Sequence, residues 1–348
     1  MSRMVRILAV DGGGVRGLMP AIILNEIERR CAEQMGRAVR LCELFDVIAG
    51  TSTGAVITLL LSKPDPASGA TLIQLYEADA KYFFHRSWLR ALLTLDGWLG
   101  PKYSRRNAAA LMRKYLGETT ELKQAQTNIV IPIYALRSKW PRVVLFSKDW
   151  AVHREAEGFN FRMWEVGCAA GAAPTYFASY TLESLGEKKR AYHAVDGAVY
   201  INNPALEGLT HAMELRKQGK LKGAEQPREE TATDQTRGMG QYLVVSVGTG
   251  YHDVPVSTHR ATRWGTLGWA VPILDVIFEA QAEAASLQLE QMMPDHRYYR
   301  LQPALDKDTK LDDSRPATLR YLRHTTEHFV KEKSDVLDEI VKLLVSRD

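Results

Sequence analysis

Short apolar runs that end in glycine or polar residues alternate with longer amphipathic segments at the start of the chain. Residues Val5 to Val10 are apolar and lead directly into Asp11 and three glycines, which predicts a buried strand followed by a tight loop. Apolar residues then recur near helical spacing from Leu18 to Glu33, which predicts an amphipathic helix. The apolar segments from Phe45 to Ala49 and from Ala55 to Leu61 predict a second strand and a second helix.

The same alternation continues further along the chain. Strands are predicted at Asn128 to Leu136, at Arg142 to Phe146 and at Tyr242 to Val247. The segment from Thr71 to Tyr103 is predicted to be mostly helical, and a shorter helix is predicted from Trp164 to Ala170. Alternating strands and helices are typical of an α/β fold in which helices flank a mainly parallel central sheet.

Two later stretches differ from this pattern. Residues 219–240 are polar with few aromatics, and we interpret them as a mobile insertion rather than a domain linker. Because the strand pattern resumes at Tyr242, the sheet is expected to span the insertion. Residues 315–348 have helical periodicity and are expected to pack on the core, with an interfacial membrane helix as the alternative. We therefore predict a single domain over residues 1–348.

Composition excludes several classes of protein. Hydrophobic residues make up 45% and charged residues 25% of the 348 positions, which is ordinary globular usage and excludes a disordered or collagen-like chain. With 45 Lys and Arg against 41 Asp and Glu, the net charge is +4. This excess is too small and too evenly spread to predict binding to a DNA or RNA polymer.

The cysteines and the lengths of the apolar runs indicate the cellular compartment of the protein. Cys31, Cys42 and Cys168 form no CxxC pair and no disulfide framework, which suits a reducing compartment. The apolar run before Asp11 is too short for a secretion signal, and Ala55 to Leu61 is far below the ~20 residues of a spanning helix. A cytoplasmic protein is predicted. No His, Asp or Glu cluster has metal-ligand spacing, so no metal or other cofactor is expected.

The loop after the first predicted strand, residues 11–17, reads DGGGVRG. Gly12, Gly14 and Gly17 satisfy the G-x-G-x-x-G pattern of a dinucleotide-binding loop between a strand and a helix. That interpretation requires an acidic residue at the end of the next strand, about 20 positions on. Glu33 stands near that distance but within a predicted helix. The alternative is an oxyanion hole, because consecutive glycines let several backbone N–H groups point at one position.

A second glycine-flanked motif, GTSTG at residues 50–54, follows the second predicted strand and precedes a helix. Gly50 and Gly54 would permit the sharp turn of a G-x-S-x-G nucleophile elbow, which exposes the hydroxyl of Ser52. A helix cap formed by Thr51 or Ser52 is the structural alternative. The strand, the helix and the separate glycine-rich loop together favour the elbow.

A serine nucleophile needs a base, and none of the nine histidines stands in a pattern that specifies one. His193 lies three residues before Asp196, and His252 follows the Gly248–Gly250 turn. We interpret both as surface or hydrogen-bonded core histidines. Asp196 is the better candidate, because its carboxylate precedes a glycine at the expected end of a strand. An Asp-Gly pair by itself is more often an ordinary turn.

These motifs, in this order, resemble the patatin-like phospholipase family. The resemblance rests on DGGGVRG at residues 11–17, GTSTG at 50–54 and DGA at 196–198. Two further segments are similar to those of the family: AAGAAPTYF at residues 169–177 and SVGTG at 246–250. The resemblance covers about residues 4–255 and implies a three-layer α/β patatin-like fold with a serine elbow.

By this resemblance, the protein is a serine acyl hydrolase in which Ser52 is the nucleophile and Asp196 its only side-chain partner. The Ser52 alkoxide would attack a lipid ester, and water would then release the fatty acid. An unperturbed aspartate, with a pKa of about 3.9, is a weak base for a serine hydroxyl. We therefore expect Asp196 to be desolvated, which raises its pKa.

The resemblance also assigns the residues that support this dyad. Gly50 and Gly54 flank the nucleophile in the elbow. The backbone N–H groups of the glycine-rich loop would hold the tetrahedral oxyanion, and Arg16 would help to hold the loop. The residues assigned to the oxyanion hole are Gly12, Gly13, Gly14, Arg16 and Gly17.

The substrate implied is a membrane phospholipid reached at the inner face of the membrane. Aromatic and basic residues between Tyr82 and Tyr103 suit a membrane interface, although core packing explains most of these rings equally well. A long helix is predicted from Val271 to Met292, with a core, dimer or effector role left open. A homodimer or higher oligomer is expected, since regulated acyl hydrolases often assemble.

The size and layout of the chain resemble the phospholipase effectors of CBASS anti-phage systems, which a cyclic oligonucleotide switches on. This resemblance implies a cyclic oligonucleotide activator, with Arg260, Arg263 and Arg297 as candidate phosphate contacts. An ungated housekeeping or secreted lipase is the alternative. A nucleotide-cofactor oxidoreductase leaves Ser52 and Asp196 unexplained, and a non-catalytic storage or binding protein would not need them.

Overall fold

The computed structural model describes residues 3–84, 100–137, 142–221, 223, 238–252, 262, 265–269 and 272–346. Within these ranges, the strands are β1 (Val5–Val10), β2 (Val47–Gly50), β3 (Asn128–Arg137), β4 (Val143–Ser147), β5 (Tyr180–Glu183), β6 (Ala191–Asp196), β7 (Tyr242–Val247), β8 (Tyr251–His252), β9 (Tyr298–Leu301) and β10 (Ala304–Leu305). Strands β8 and β10 pair with each other, and the other eight form one sheet.

The helices surround this sheet. In chain order they are α1 (Leu18–Met35), α2 (Leu41–Leu44), α3 (Thr53–Ser62), α4 (Gly69–Gln74), α5 (Ala80–Phe83), α6 (Arg105–Leu116), α7 (Lys148–His153), α8 (Met163–Ala170), α9 (Ala205–Lys217), α10 (Thr266–Trp269), α11 (Pro272–Met292), α12 (Pro316–Glu332) and α13 (Ser334–Val345). A π-helical turn, Leu75–Asp79, joins α4 to α5, and a 3-10 turn, Gly14–Gly17, precedes α1.

The strand order along the sheet is β5-β6-β3-β2-β1-β7-β9, with β4 also paired to β3. The five strands β3, β2, β1, β7 and β9 run parallel to one another. Strands β4 and β6 pair antiparallel with β3, and β5 pairs antiparallel with β6. The expected mainly parallel sheet is therefore confirmed, and β7 returns to it after residues 219–240, as expected.

The alternation of side chains along β1 explains why helices cover both faces of the sheet. Val5, Ile7 and Ala9 point into a buried cluster formed with α9 and the end of α11. Leu8 and Val10 point into the opposite cluster, formed with α1, α3, α12 and α13. Because successive side chains of a strand face opposite sides, a strand that is apolar throughout needs a helical layer on each side.

The predicted C-terminal helical region consists of α12 and α13, and both pack against α1. Leu322 of α12 and Leu337 and Ile340 of α13 are completely buried. The expectation that this region packs on the core is confirmed for residues 316–345.

Other expectations are met only in part. The segment from Thr71 to Tyr103 is helical as far as Phe83, with the π-helical turn inside it, and residues 85–99 lie outside the described ranges. The sequence patterns did not predict the strands β5 and β9 or the helices α6 and α9. Most of the insertion proposed at residues 219–240 also lies outside the described ranges.

Candidate active site

The glycine-rich loop and the serine motif meet because their strands are neighbours. β1 and β2 are parallel, and Val10 pairs with Gly50 at the ends of the two strands. The Thr51 N–H donates to the Val10 carbonyl at 3.2 Å, which extends the pairing into the loop. The carboxyl ends of parallel strands lie at the same edge of a sheet, which is where α/β proteins place their ligands.

Asp196 reaches this edge from an antiparallel strand. Val130 of β3 lies opposite Ala49 of β2, whereas Ile133 of β3 lies opposite Asp196 of β6. β3 therefore extends beyond the end of β2, and β6 pairs with the part that extends. This overhang lets a strand running in the opposite direction end beside the serine motif.

The motif at residues 50–54 has the backbone of a nucleophile elbow. Ser52 has φ 54° and ψ −119°, a strained conformation for a residue with a side chain. A Cβ on Gly50 would lie 2.2 Å from the Gly54 carbonyl oxygen, and a Cβ on Gly54 would lie 2.1 Å from the Val10 carbonyl oxygen. Only glycine fits at these two contacts. The Ser52 side chain forms no cap to α3, which removes the helix-cap alternative.

The Ser52 hydroxyl donates a hydrogen bond of 2.6 Å to Oδ2 of Asp196. The Ala198 N–H donates to the other carboxylate oxygen of Asp196 at 2.9 Å. Asp196 is 1% exposed. This burial raises the pKa of Asp196 to about 7, although the bonds from Ser52 and Ala198 oppose the rise. The expected desolvated carboxylate is confirmed.

The glycine-rich loop leaves two adjacent N–H groups unused. The Gly12 N–H donates to the Asn202 carbonyl at 3.1 Å, and the Gly12 carbonyl accepts from the Thr249 hydroxyl at 2.6 Å. Within the described part of the chain, the N–H groups of Gly13 and Gly14 have no hydrogen-bond partner. Both glycines line the cavity that contains Ser52. Two N–H groups without a partner therefore belong to residues that line the same cavity as Ser52.

Arg16 and Gly17 are the last two residues of this loop and do not line the cavity. Arg16 is buried, and its Nε has no hydrogen-bond partner among the described residues. Burial lowers the pKa of Arg16, and the carboxylates of Asp275 and Glu279 act in the opposite direction. Gly17 packs against the ring of Tyr76, where a Cβ would lie 2.4 Å from the phenol oxygen.

A buried ion pair that the sequence patterns did not predict anchors the loop. Arg300 on β9 donates from Nη1 to Oδ1 of Asp11 at 2.9 Å and from Nη2 to Oδ2. The same Nη1 also donates to the Ser246 hydroxyl on β7 at 2.8 Å. The only sequence signal was a charged residue within the short apolar run Tyr298–Leu301. Its partner could not be identified, because the two residues are 289 positions apart.

An apolar cavity opens at the Ser52–Asp196 pair. Ser52, Asp196 and Asn202 are among the polar residues that line it. The apolar side chains in its walls are Val56, Leu75, Tyr76, Ala80, Phe83, Phe84, Leu111, Met112, Tyr176, Phe177, Leu274, Phe278 and Leu311.

The walls combine segments whose roles the sequence left open. Phe83 packs edge to face with Phe84 and Phe177, and Phe84 does so with Tyr103. The rings of Phe83 and Phe84 are half-buried and pack against the core. Tyr82, in contrast, is 53% exposed. Helix α11 supplies Leu274 and Phe278 to the cavity, which places this predicted helix at the site. The remaining aromatics between residues 85 and 99 lie outside the described ranges.

The two histidines considered as bases are engaged elsewhere. His193 hydrogen-bonds to the hydroxyls of Ser179 and Thr181, both at 2.8 Å. His252 bonds to Glu279 at 3.2 Å and accepts from the Thr309 N–H at 3.4 Å. Neither histidine lines the cavity. The interpretation of both as non-catalytic agrees with this placement.

The fold and the site together define a class of protein, the α/β serine acyl hydrolases. Comparison with known proteins gives the family. The model of the patatin-like phospholipase family matches residues 8–209. Patatin-like protein 1 of Arabidopsis thaliana is 32% identical over 328 residues, covering 88% of this chain and 75% of that protein. Patatin-like protein 2 of Oryza sativa subsp. indica is 31% identical over 307 residues, covering 82% and 72%.

The chain therefore belongs to the patatin-like phospholipase family. The resemblance drawn from the three ordered motifs is confirmed, and so are the patatin-like fold and the assignment to lipid acyl hydrolases. Among solved structures, VipD from Legionella pneumophila aligns with a TM-score of 0.34 and 9% identity, over 95% of this chain and 67% of that one. The dinucleotide-binding alternative is overturned by the family match.

Proposed function

We propose that the protein is a phospholipase of the A type, which cleaves fatty acyl esters of membrane phospholipids through Ser52 and Asp196. The observation that carries the proposal is the 2.6 Å hydrogen bond from Ser52 to a buried carboxylate that lines an apolar cavity. The Asp196 carboxylate suits the role of general base, because a base works best when its pKa lies near the working pH. Burial raises the pKa of Asp196 to about 7.

In the first half of the reaction, Asp196 accepts the Ser52 proton while Oγ attacks the ester carbonyl. The tetrahedral oxyanion accepts hydrogen bonds from the N–H groups of Gly13 and Gly14. Gly12 supports this loop, because its own N–H is bonded to Asn202. Asp196 then gives the proton to the leaving lysolipid oxygen, and the acyl group stays on Ser52. One oxyanion donor is worth about 10²–10³ in rate.

In the second half, water replaces the lysolipid beside Asp196. Asp196 accepts a proton from this water, whose oxygen attacks the acyl carbon. The second tetrahedral intermediate collapses, Ser52 recovers its proton and the fatty acid leaves. Arg16 supports the loop from within the 3-10 turn, since it is buried there and does not line the cavity.

The apolar walls support a long acyl chain as the group that the site binds. Each buried methylene contributes about 0.8 kcal/mol, so a fatty acyl chain gains several kcal/mol from such a cavity. In the described ranges, no helix is both long and apolar enough to cross a bilayer. We propose that the protein meets its substrate at the inner membrane surface.

The test is release of fatty acid from mixed phospholipid vesicles by the wild-type protein, Ser52→Ala and Asp196→Asn. Both variants should lose at least about 10³-fold in rate, as removal of a nucleophile or its base does in other serine hydrolases. Activity that survives Ser52→Ala would overturn the assignment of the nucleophile. Turnover of short esters without turnover of phospholipids would overturn the substrate class.

Activation by a cyclic oligonucleotide and a role in anti-phage defence remain predictions from the resemblance. Arg260 and Arg263 lie outside the described residues, and Arg297 donates to the carbonyls of Gly240 and His296 at 3.0 Å. Adding a panel of cyclic di- and trinucleotides to the vesicle assay tests the activation. Full activity without any nucleotide would exclude gating and leave the ungated lipase. The predicted oligomer is tested by its mass in solution.

A further inference from the structure

A second pocket lies next to the cavity that contains Ser52. The two spaces have three lining residues in common, Phe83, Gly171 and Phe177. The rings of Phe83 and Phe177 are in edge-to-face contact, with their centroids 5.2 Å apart. A Cβ on Gly171 would lie 3.9 Å from Cζ of Phe83. These three residues therefore form a partition between the cavity and the second pocket.

The second pocket is lined mainly by small or apolar side chains. Its lining residues outside the partition are Arg105, Ala108, Cys168, Ala172, Ala178 and Tyr180. Burial raises the pKa of Cys168 to about 12, so its thiol is uncharged. Arg105 is exposed, and its Nη1 donates to the Ser179 carbonyl at 2.8 Å. A space of this composition suits hydrocarbon better than a polar head group.

The Phe177 ring is held in place by its backbone and by neighbouring rings. The Phe177 N–H donates to the Ala173 carbonyl at 2.9 Å. Phe177 is 7% exposed, and its ring also packs against those of Phe84 and Tyr103, with centroids 6.3 and 5.6 Å away. Because protein interiors are close-packed, a ring held on several sides moves aside only at a cost. Phe177 therefore closes the way from the cavity into the second pocket.

We propose that Phe177 sets the longest acyl chain that the site accepts. The carbons nearest the ester lie in the cavity beside Ser52, and the chain extends until its methyl end meets the partition. The second pocket is an extension of the acyl site that a chain reaches once the Phe177 ring is removed. This inference rests on the proposed phospholipase function and adds the length of the acyl chain to it.

The size of the effect follows from where the extra carbons of a longer chain are placed. A methylene that leaves the bilayer and finds no apolar space in the site is exposed to water, which costs about fourfold in rate. Two such carbons cost about tenfold in rate. The second pocket removes this cost when the ring at residue 177 is absent.

The test is a competition between chain lengths within one vesicle. Wild type and Phe177→Ala act on vesicles that contain equal amounts of phosphatidylcholines with lauroyl to behenoyl chains, and each released fatty acid is quantified by its mass. The common surface makes vesicle binding equal for all substrates. Wild-type release should decline beyond one chain length. In Phe177→Ala, the ratio between the chains on either side of that limit should rise about tenfold.

Refilling the second pocket provides the matched variant. Ala108 lines the second pocket but not the cavity, and it belongs to the same buried cluster as Phe177. Ala108→Leu combined with Phe177→Ala should therefore restore the wild-type limit. Phe278→Ala removes a ring that lines the cavity but not the second pocket, and it should change the rates of all chain lengths alike. A shift in Phe278→Ala as large as that in Phe177→Ala would overturn the inference.

A wild-type profile in folded Phe177→Ala would also overturn it, and so would wild-type release that does not decline up to the longest chain. If Phe177→Ala does not fold, Phe177→Leu removes the ring with less loss of packing and should shift the limit in the same direction. If Ser52→Ala abolishes release of every chain while the Phe177 variants keep the wild-type profile, only the inference fails. Release that survives Ser52→Ala means that the proposed function fails.

Discussion

At the scale of single residues, the chemistry depends on how far burial shifts Asp196 from an ordinary carboxylic acid. Its side chain accepts from one hydroxyl and one backbone N–H, and it has no cationic partner in the described part of the chain. Desolvation is therefore the main cause of its raised pKa, which is about 7. The proposed Ser52–Asp196 dyad would obtain a base of near-neutral pKa in this way.

The first prediction concerns the pH dependence of activity. Asp196 must be ionised to accept the Ser52 proton, so kcat/KM should fall as the pH drops through about 7. Below that point the decrease should approach tenfold per pH unit. A pH–rate profile on vesicles measures this, with initial rates taken while the protein is folded. A profile that stays level down to about pH 4, the ordinary range for aspartate, would contradict the prediction.

The second prediction concerns stability. The pKa of Asp196 is raised from 3.8 to about 7 in the folded chain, so the folded state binds more protons between these values. The free energy of unfolding contributed by this group therefore falls as the pH rises through that window. Asp196→Asn removes the buried charge and should stabilise the protein above pH 7, by on the order of 1–4 kcal/mol.

Denaturant unfolding of wild type and Asp196→Asn at both ends of the window checks this prediction. Near pH 4 the wild-type side chain is largely protonated, so the two proteins should be almost equally stable. A variant that is less stable than wild type above pH 7 would contradict the prediction. It would mean that contacts to the ionised carboxylate outweigh the cost of burying its charge.

At the scale of secondary structure elements, the site depends on strands that hold loops in place. The turn after β1 is fixed from three sides: by β2, by the Asn202 carbonyl, and by Arg300 on β9. Strand β7 lies between β1 and β9, and Arg300 also donates to the hydroxyl of Ser246 on β7. The glycine-rich loop is therefore held in part by β9, two strands away from β1 in the sheet.

The third prediction follows from this anchor. Arg300→Met should destabilise the protein by about 3–5 kcal/mol, because it leaves the Asp11 carboxylate buried without a partner. The double variant Asp11→Asn with Arg300→Met should recover part of that loss. Thermal or denaturant unfolding measures both. Equal stability of Arg300→Met and wild type would mean that the pair contributes nothing to the fold.

At the scale of the whole molecule, distant segments close the cavity and support it. The Val15 N–H donates to the Leu311 carbonyl at 2.7 Å, which ties the glycine-rich loop to the chain just before α12. Asp312 accepts from the Tyr103 hydroxyl at 2.6 Å and also binds Lys102. The C-terminal part of the described chain is thus continuous with the wall of the site.

The fourth prediction concerns what the C-terminal helix α13 contributes to stability and to activity. Leu337 on α13 is completely buried in the cluster that contains α1, α3 and β1. Leu337→Ala should cost about 2–5 kcal/mol of folding free energy, the usual range for a buried leucine. Below its unfolding transition, the variant should hydrolyse esters at close to the wild-type rate, since Leu337 does not line the cavity.

Denaturant unfolding curves measure the loss of stability. Rates of ester hydrolysis, taken below the unfolding transition of the variant, measure the activity. Leu136, which is 49% exposed, provides the control, and Leu136→Ala should change stability by less than about 0.5 kcal/mol. Similar stability for both variants would argue that α13 adds little to the core.

The sequence by itself determined the features that local backbone chemistry dictates. Glycines at residues 50 and 54 around a serine, between an apolar strand and an apolar helix, leave few alternatives to a sharp elbow. The glycine-rich loop and the Asp-Gly pair were visible for the same reason. Periodicity also located β7 and the α1 helix closely, since long apolar patterns need only near neighbours to be recognised.

Only the tertiary structure decided which of these features act together. The overhang of β3 brings Asp196 to Ser52 across 144 positions, and no local pattern encodes that register. Burial, which sets the pKa of Asp196, exists only when the layers have packed. The same applies to the ion pair between Asp11 and Arg300, which are 289 positions apart along the chain. Spacing along the chain carries local geometry, whereas contact and desolvation arise from packing.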